Sequence, residues 1–168
     1  SCLQRVNEPS RNIMTIEDPV EYYIDGISQI PVRPRAGMSF ATGLRSMLRQ
    51  DPNIIMVGEI RDAETAKIAV HAALTGHLVF STLHTNDASG SVVRLVDMGI
   101  EPYFITSSLI ATIGQRLVRR LCQACRHSYE ATRDIVTELG LPLDSRPTLY
   151  RPVGCRECEQ TGYKGRLS

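Results

Sequence analysis

Four apolar residues in a row, Ile54-Ile55-Met56-Val57, stand between Asp51-Pro52-Asn53 and Gly58-Glu59. The run is too short for a helix and does not alternate, which is how a strand buried on both faces of a parallel sheet reads. Its end at Gly58-Glu59 predicts a carboxylate at a strand's carboxyl end, where open α/β sheets bind their ligands. Upstream, the β-prone run Asn12-Ile13-Met14-Thr15-Ile16 ends in Glu17-Asp18. Pro19 bars its continuation as a central strand, so a second strand end carries acids. Downstream, Leu78-Val79-Phe80-Ser81-Thr82-Leu83-His84 reads as a third short strand, with His77 at its start and His84, Thr85 and Asn86 at its end.

Helical spacing fills the intervals. Leu3 and Val6 share a face and Asn7 with Pro9 stops them, so the first residues read as the end of a helix. Phe40, Leu44 and Met47 or Leu48 recur at helical spacing, with Arg45 and Arg49 stacked i,i+4 on another face. Asp62 to Leu74 is alanine-rich, with Asp62 as the cap and Thr75-Gly76 as the stop. A further helix runs from Asp87 to Gly99. Pro102 then opens a longer one, whose stripe Ile105, Leu109, Ile113, Leu117 and Leu121 repeats every four residues and ends among Arg116, Arg119 and Arg120, favourable at a negative helix terminus. Between Val20 and Ser39 the pattern predicts a hairpin, with Tyr22-Tyr23-Ile24 and Ile27 to Val32 flanking Asp25-Gly26.

Composition narrows the class. At 168 residues the chain supports one domain, or one with a small appendage. A formal net charge of +1 gives no reason to expect a nucleic-acid or membrane surface. No apolar stretch approaches the roughly 18 residues of a membrane span and no signal peptide opens the chain, so the expected compartment is the cytosol. No internal repeat or low-complexity segment is present.

The strand-end acids fit phosphate chemistry. In a nucleoside triphosphatase the position of Glu59 is one from which a general base orients water against a γ-phosphate, while a strand followed by a helix N-terminus carrying a favourable acid is the plainer reading of Gly58-Glu59 alone. Oxygen ligands such as Glu17 or Asp18 suit Mg²⁺. Adjacent side chains on a strand point to opposite faces, so at most one of Glu17 and Asp18 faces a ligand unless the chain has already turned. Acids capping the next turn explain this pair equally well. His84, beside Thr82 and Asn86, is placed to hydrogen-bond a γ-phosphate. His77 lies at the strand's opposite end and fits a structural role equally well.

Cys122-Gln-Ala-Cys125 and Cys155-Arg-Glu-Cys158, separated by an excursion of about 30 residues with a short helix around Ile135 to Leu139, read as one tetrahedral thiolate site for Zn²⁺. Four thiolates saturate the ion, so the site is structural. A disulfide reading would need an oxidising compartment, for which the sequence gives no sign.

The three strand ends and the cysteine pairs, in this order, resemble the secretion ATPases that drive type II secretion and type IV pilus assembly. Thr15-Ile-Glu-Asp-Pro-Val-Glu21 is similar to that family's aspartate box. Ile54 to Asp62 is similar to its Walker B, in which Gly stands where other P-loop enzymes have Asp. Thr75 to Asn86 is similar to its histidine box, and the paired cysteines resemble the metal-binding insert of the secretion and assembly branch. The resemblance implies a partial RecA-like P-loop ATPase core, a mostly parallel sheet with flanking helices, plus a helical region carrying the tetracysteine insert. Expected bounds are 1–121 for the ATPase part and 122–168 for the metal-binding part. It also implies a motor using ATP and Mg²⁺. Glu59 would act as base or water-positioning residue, and Glu17, with or without Asp18, would arrange Mg²⁺ and water; which glutamate is the base stays open. Thr82, His77 and His84 would respond to the γ-phosphate, and Arg45 or Arg49 would sense phosphate. Homohexamers at the cytoplasmic face of the bacterial inner membrane, acting on inner-membrane assembly proteins, complete the implication, with membrane association only through such partners.

One departure is plain: no Gly-x-x-x-x-Gly-Lys-Ser/Thr loop occurs, and Lys67 and Lys164 are the only lysines. Without such a cradle most of a phosphate site is missing from these residues, which are expected to be inactive alone. Two other readings compete: a non-catalytic zinc-stabilised module docking on an inner-membrane assembly protein, and a DNA-translocating relative. Near-neutral charge and the lack of an aromatic-basic groove weigh against the second, and no nucleic-acid partner is expected.

Overall fold

The computed structural model describes residues 2–168, which divide into two compact units that meet in sequence at Gly114 and Gln115. In the first, strands β1 (Ile13–Glu17), β2 (Ser28–Pro31), β3 (Ile54–Val57) and β4 (Leu78–Ser81) form one sheet in the order β2-β1-β3-β4, every pair parallel. The unalternated runs Ile13–Ile16 and Ile54–Val57 are therefore its inner strands, buried at every position but Met56, which is half-buried, as two-sided cover by helices requires. Helices α1 (Cys2–Val6), α2 (Phe40–Met47), α3 (Ala63–Leu74), α4 (Gly90–Asp97) and α5 (Pro102–Ser108) supply that cover. Leu44 and Met47 of α2, Ala66, Ala69 and Ala72 of α3, Leu95 of α4 and Ile105 of α5 join Ile16, Ile55 and Val57 in one core. Leu3 of α1 joins Ile13 and Ile54 in a second cluster.

Local chemistry sets the helix ends that matter to the site. Ser39 and Thr42 form a capping box at the start of α2, and Asp62 accepts the Thr65 amide at 2.8 Å at the start of α3, satisfying amides that a helix N-terminus leaves unpaired. Both starts follow or face the carboxyl ends of the strands. Gly99, at φ +78°, ends the α4 segment in the left-handed conformation a glycine adopts without cost.

Two expectations are corrected. The segment from Tyr22 to Val32 is no hairpin: only Ser28–Pro31 is a strand, and it pairs parallel to β1, Ile16 opposite Ile30. The Asp25-Gly26 turn is present, with Gly26 at φ +81°, but Ile30 and Val32 pack against the core, and that burial is won beside β1 rather than beside the exposed Tyr22-Tyr23. Nor is there a helix from Pro102 to Leu121. Helix α5 stops at Ser108, Leu109 is extended, and Val118–Leu121 is strand β5. Of the stripe Ile105 is buried, but beyond it Leu109, Ile113 and Leu117 are exposed, Ile113 at 87%, so past α5 the stripe has no surface to receive it, and a pairing partner for residues 118–121 takes precedence over helical periodicity. Smaller shifts are that β4 stops at Ser81 rather than reaching His84, and that α4 begins at Gly90, whose amide donates to Asp87 at 2.7 Å.

The second unit holds two antiparallel ribbons. Strand β5 pairs with β8 (Tyr163–Leu167), and β6 (His127–Glu130) pairs with β7 (Thr148–Arg151). Helix α6 (Arg133–Glu138) follows β6, where a short helix was expected. The guanidinium of Arg119 lies 3.9 Å from the centroid of Tyr163, a cation–π contact across the first ribbon.

Candidate functional site

The carboxyl edge of the parallel sheet collects the acids. β1 and β3 are neighbours, with Ile16 opposite Val57, so Glu17 and Gly58 leave the sheet side by side. Gly58 donates its amide to Ile16 O at 2.8 Å. A Cβ on Gly58 would stand 3.2 Å from that oxygen and 3.4 Å from the Glu17 Cα. Glycine here lets the two strand ends close up, and the obstacles to a side chain are backbone atoms that cannot rotate away. Gly58→Ala is expected to cost about 1–3 kcal/mol of stability through overpacking, measured as a lowered denaturant midpoint; an unchanged midpoint would show that the strand ends separate freely.

Glu59 is buried. Its Oε2 accepts from Nε of Arg61 and from Nε2 of His84, the latter at 3.1 Å. The Arg61 guanidinium holds the Glu59 carboxyl below its ordinary value against the opposing effect of burial, with His84 adding to the depression. Arg61, itself exposed, is raised by the same pair and by the charge of Asp18. The stretch is fixed to β4 by the Ile60 amide on Thr82 O at 3.0 Å, and Thr82 Oγ1 donates to Gly58 O at 2.7 Å.

Glu17 is half-buried and anchored in a matching way. Its Oε1 accepts from Oγ1 of Thr15 and, at 2.9 Å, from Nε2 of Gln29. Among the described residues each glutamate is thus held through one oxygen, Oε1 of Glu17 and Oε2 of Glu59, and its second oxygen takes no further bond. Asp18 is exposed at the following position.

The edge brings together Glu17, Asp18, Glu59, Thr82 and His84. It does not bring in His77, at the amino end of β4, whose Nδ1 lies 3.0 Å from Ala72 O at the end of α3. Arg45, on α2, is turned to Glu64 in an exposed ion pair of 2.7 Å, and Arg49, just ahead of β3, reaches only Ser46 Oγ at 3.4 Å. Sequence reasoning missed Arg61, Thr15 and Gln29. Arg61 and Thr15 stand two positions from a candidate glutamate, the same-face spacing of an extended chain, so that signal was available; Gln29 carried none, because its reach depends on the parallel pairing of β2.

In the second unit the four thiols form one cluster. Their sulfur atoms all lie within 4.8 Å of one another, with 3.9 Å from Cys122 to Cys155 and 3.8 Å from Cys158 to Cys125 and to Cys155. No disulfide joins them. A tetrahedral ZnS₄ centre with Zn–S near 2.3 Å has edges of about 3.8 Å, so the donor set fits zinc in number, type and spacing. Burial opposes charge on Cys158, but amides of Cys155 and Gly162 donating to its sulfur prevail and hold its thiol down at about 6. Burial pushes Cys125 up to about 11, with only the Gly154 amide opposing.

A parallel sheet with flanking helices and acids gathered at its carboxyl edge defines the class: a RecA-like ATPase core, here incomplete. The solved pilus retraction motor PilT with bound ADP shares it, with a TM-score of 0.65 and 40% identity over 72% of this chain and 38% of that one. The family model described as type II/IV secretion system protein matches residues 1–168, and the chain belongs to that family. Type II secretion system protein E of Pseudomonas aeruginosa is 56% identical over 99% of this chain and 33% of its own length. Type IV pilus assembly ATPase PilB of Thermus thermophilus is 54% identical over all of this chain and 19% of its own. The chain therefore spans about a third of the type II relatives it matches.

Proposed function

We propose that these residues are the acidic edge and the metal-stabilised appendage of a motor ATPase that hydrolyses ATP to drive type II protein secretion or type IV pilus assembly. The observation that carries the reading is the pair of half-anchored glutamates at adjacent strand ends. A carboxylate fixed through one oxygen and open at the other is positioned to accept a proton or orient water without losing its place. Glu59 takes the water-activating role, its charge maintained by Arg61 and His84. Glu17, with Asp18 beside it, presents oxygens suited to Mg²⁺. ATP with Mg²⁺ supplies the phosphoryl group and the charge neutralisation when bound. Thr82 and His84, beyond the carboxyl end of β4, would respond to a terminal phosphate; His77, at the amino end of β4, and Arg45 and Arg49 would act on it only through movement of the segments that carry them. The relatives' names, type II secretion system protein E and type IV pilus assembly ATPase, support a part in secretion or pilus assembly, and a cytoplasmic homohexamer acting on inner-membrane assembly proteins is the setting this reading takes for it. Among the described residues no helix is long and apolar enough to cross a membrane.

The four cysteines hold a structural Zn²⁺ in this reading. A separate observation, that the tetracysteine unit is compact by itself, favours a second role for it as a docking module. Loss of partner binding in Cys155→Ser, with nucleotide absent, would support that role.

These 168 residues contain no phosphate-cradling loop, so by themselves they are expected to hydrolyse ATP at background rate. A phosphate-release assay on the isolated chain, beside the full-length protein, checks this. Metal-dependent turnover by the isolated chain that disappears in Glu59→Gln would refute it.

A further inference from the structure

Gln29 of β2 stands between Glu17 and the surface loop from Glu21 to Asp25, and all of its side-chain polar atoms are used. Its Nε2 donates to Glu17 Oε1 at 2.9 Å and to Tyr22 O at 3.2 Å, while its Oε1 accepts the Ile24 amide at 2.7 Å. The sheet explains the reach. Thr15 and Gln29 are register partners in the β1–β2 pairing, and Glu17 lies two residues beyond Thr15 on the same face. Thr15 and Gln29 therefore converge on one oxygen of Glu17. The loop at the other end is fixed from behind by Asn7 Nδ2 on Asp25 O at 2.8 Å, and it presents Tyr22 and Tyr23 outward, 56% and 83% exposed.

We infer that Gln29 is a positioning residue that makes the orientation of Glu17 depend on the conformation of the Glu21–Asp25 loop. The inference rests on the reading of Glu17 as part of the nucleotide site. Glutamine is the residue type that can do this: it is neutral, and it donates to a carboxylate and a carbonyl while accepting from an amide. Glutamate at this position would set two carboxylates against each other, and leucine would leave Glu17 with Thr15 alone and the Ile24 amide without its acceptor.

The test uses the full-length protein with Gln29→Leu, Gln29→Glu and Glu17→Ala, read by steady-state ATP hydrolysis and by hydrogen exchange of the peptide spanning residues 22–27. Gln29→Leu is expected to lower kcat about tenfold with KM within about twofold, the pattern of a group acting in the transition state. Gln29→Glu, closer in shape, is expected to lower kcat further. Exchange at the loop is expected to rise about tenfold in Gln29→Leu and severalfold in Glu17→Ala, because Gln29 loses its anchor. Faster loop exchange with unchanged kcat in Gln29→Leu would make Gln29 a brace for the loop only and would overturn the proposal, as would loop exchange indifferent to Glu17→Ala. Full activity in Glu17→Ala would instead overturn the role given to Glu17 under the proposed function.

Discussion

Glu59→Gln in the full-length protein is expected to lower kcat for ATP hydrolysis by roughly 10²–10⁴-fold, the range for loss of a positioned general base, with KM for ATP changed by less than about threefold. The substitution keeps the shape, and its amide oxygen in the place of Oε2 still accepts from Arg61 and His84, so the fold and the strand end stay in place while the carboxylate base is removed. The charge matters as much as the position. Arg61 holds Glu59 below the ordinary carboxylate range, so the group remains ionised across neutral and mildly acidic pH. If it is the base, the acid limb of the rate profile lies below the ordinary glutamate value, and activity disappears as pH falls through that depressed value. A variant retaining more than about a tenth of wild-type kcat would fall outside the range for a base and would pass the role to Glu17, whose Gln variant is the parallel measurement.

What the sequence made legible follows from how local each feature is. The run Ile54–Val57 announced an inner strand because two-sided burial removes alternation, and the sheet confirms it; the run through Ile16 announced a strand without saying that it lies inside the sheet. Asp62 announced the start of α3 because a cap acts within its own turn. The acids at the strand ends were visible for the same reason. What fixes those acids was not: Gln29 reaches Glu17 only because β2 lies parallel to β1, and pairing direction has no signature in a four-residue strand whose apolar pattern would suit either partner. The same limit explains the helix expected through Leu121. A stripe at every fourth residue is a helix only if a surface receives it, and residues 118–121 found hydrogen-bond partners in residues 163–167 instead. The tetracysteine cluster was fully legible because metal chemistry fixes ligand type and pair spacing regardless of the intervening chain.

Removing the metal from the tetracysteine cluster is expected to unfold residues 115–168 while leaving the parallel sheet of the first unit ordered. Among the described residues of that unit the buried apolar side chains are Cys122, Val136 and Cys158. Two of these three are thiols of the cluster, so the site itself occupies the place of a hydrophobic core. The remaining framework is two isolated ribbons and one short helix, elements that are marginal alone in water. Binding of structural zinc contributes about 10–16 kcal/mol in small domains at neutral pH, far more than such packing supplies. The thiols also set the pH dependence. The amides of Cys155 and Gly162 favour a thiolate at Cys158, whereas burial favours the protonated thiol at Cys125, whose proton metal binding releases. Affinity therefore falls as pH is lowered, because protons compete for the same sulfur atoms. Cys158→Ala should be the most damaging ligand change, since it removes a metal ligand and also leaves the amides of Cys155 and Gly162 without the acceptor that the sulfur provides. Metal analysis, with hydrogen exchange resolved by segment before and after chelation, measures both effects; a unit that stays protected after its metal is removed would mean that the ribbons hold themselves together and that the cluster is an ornament of the fold rather than its core.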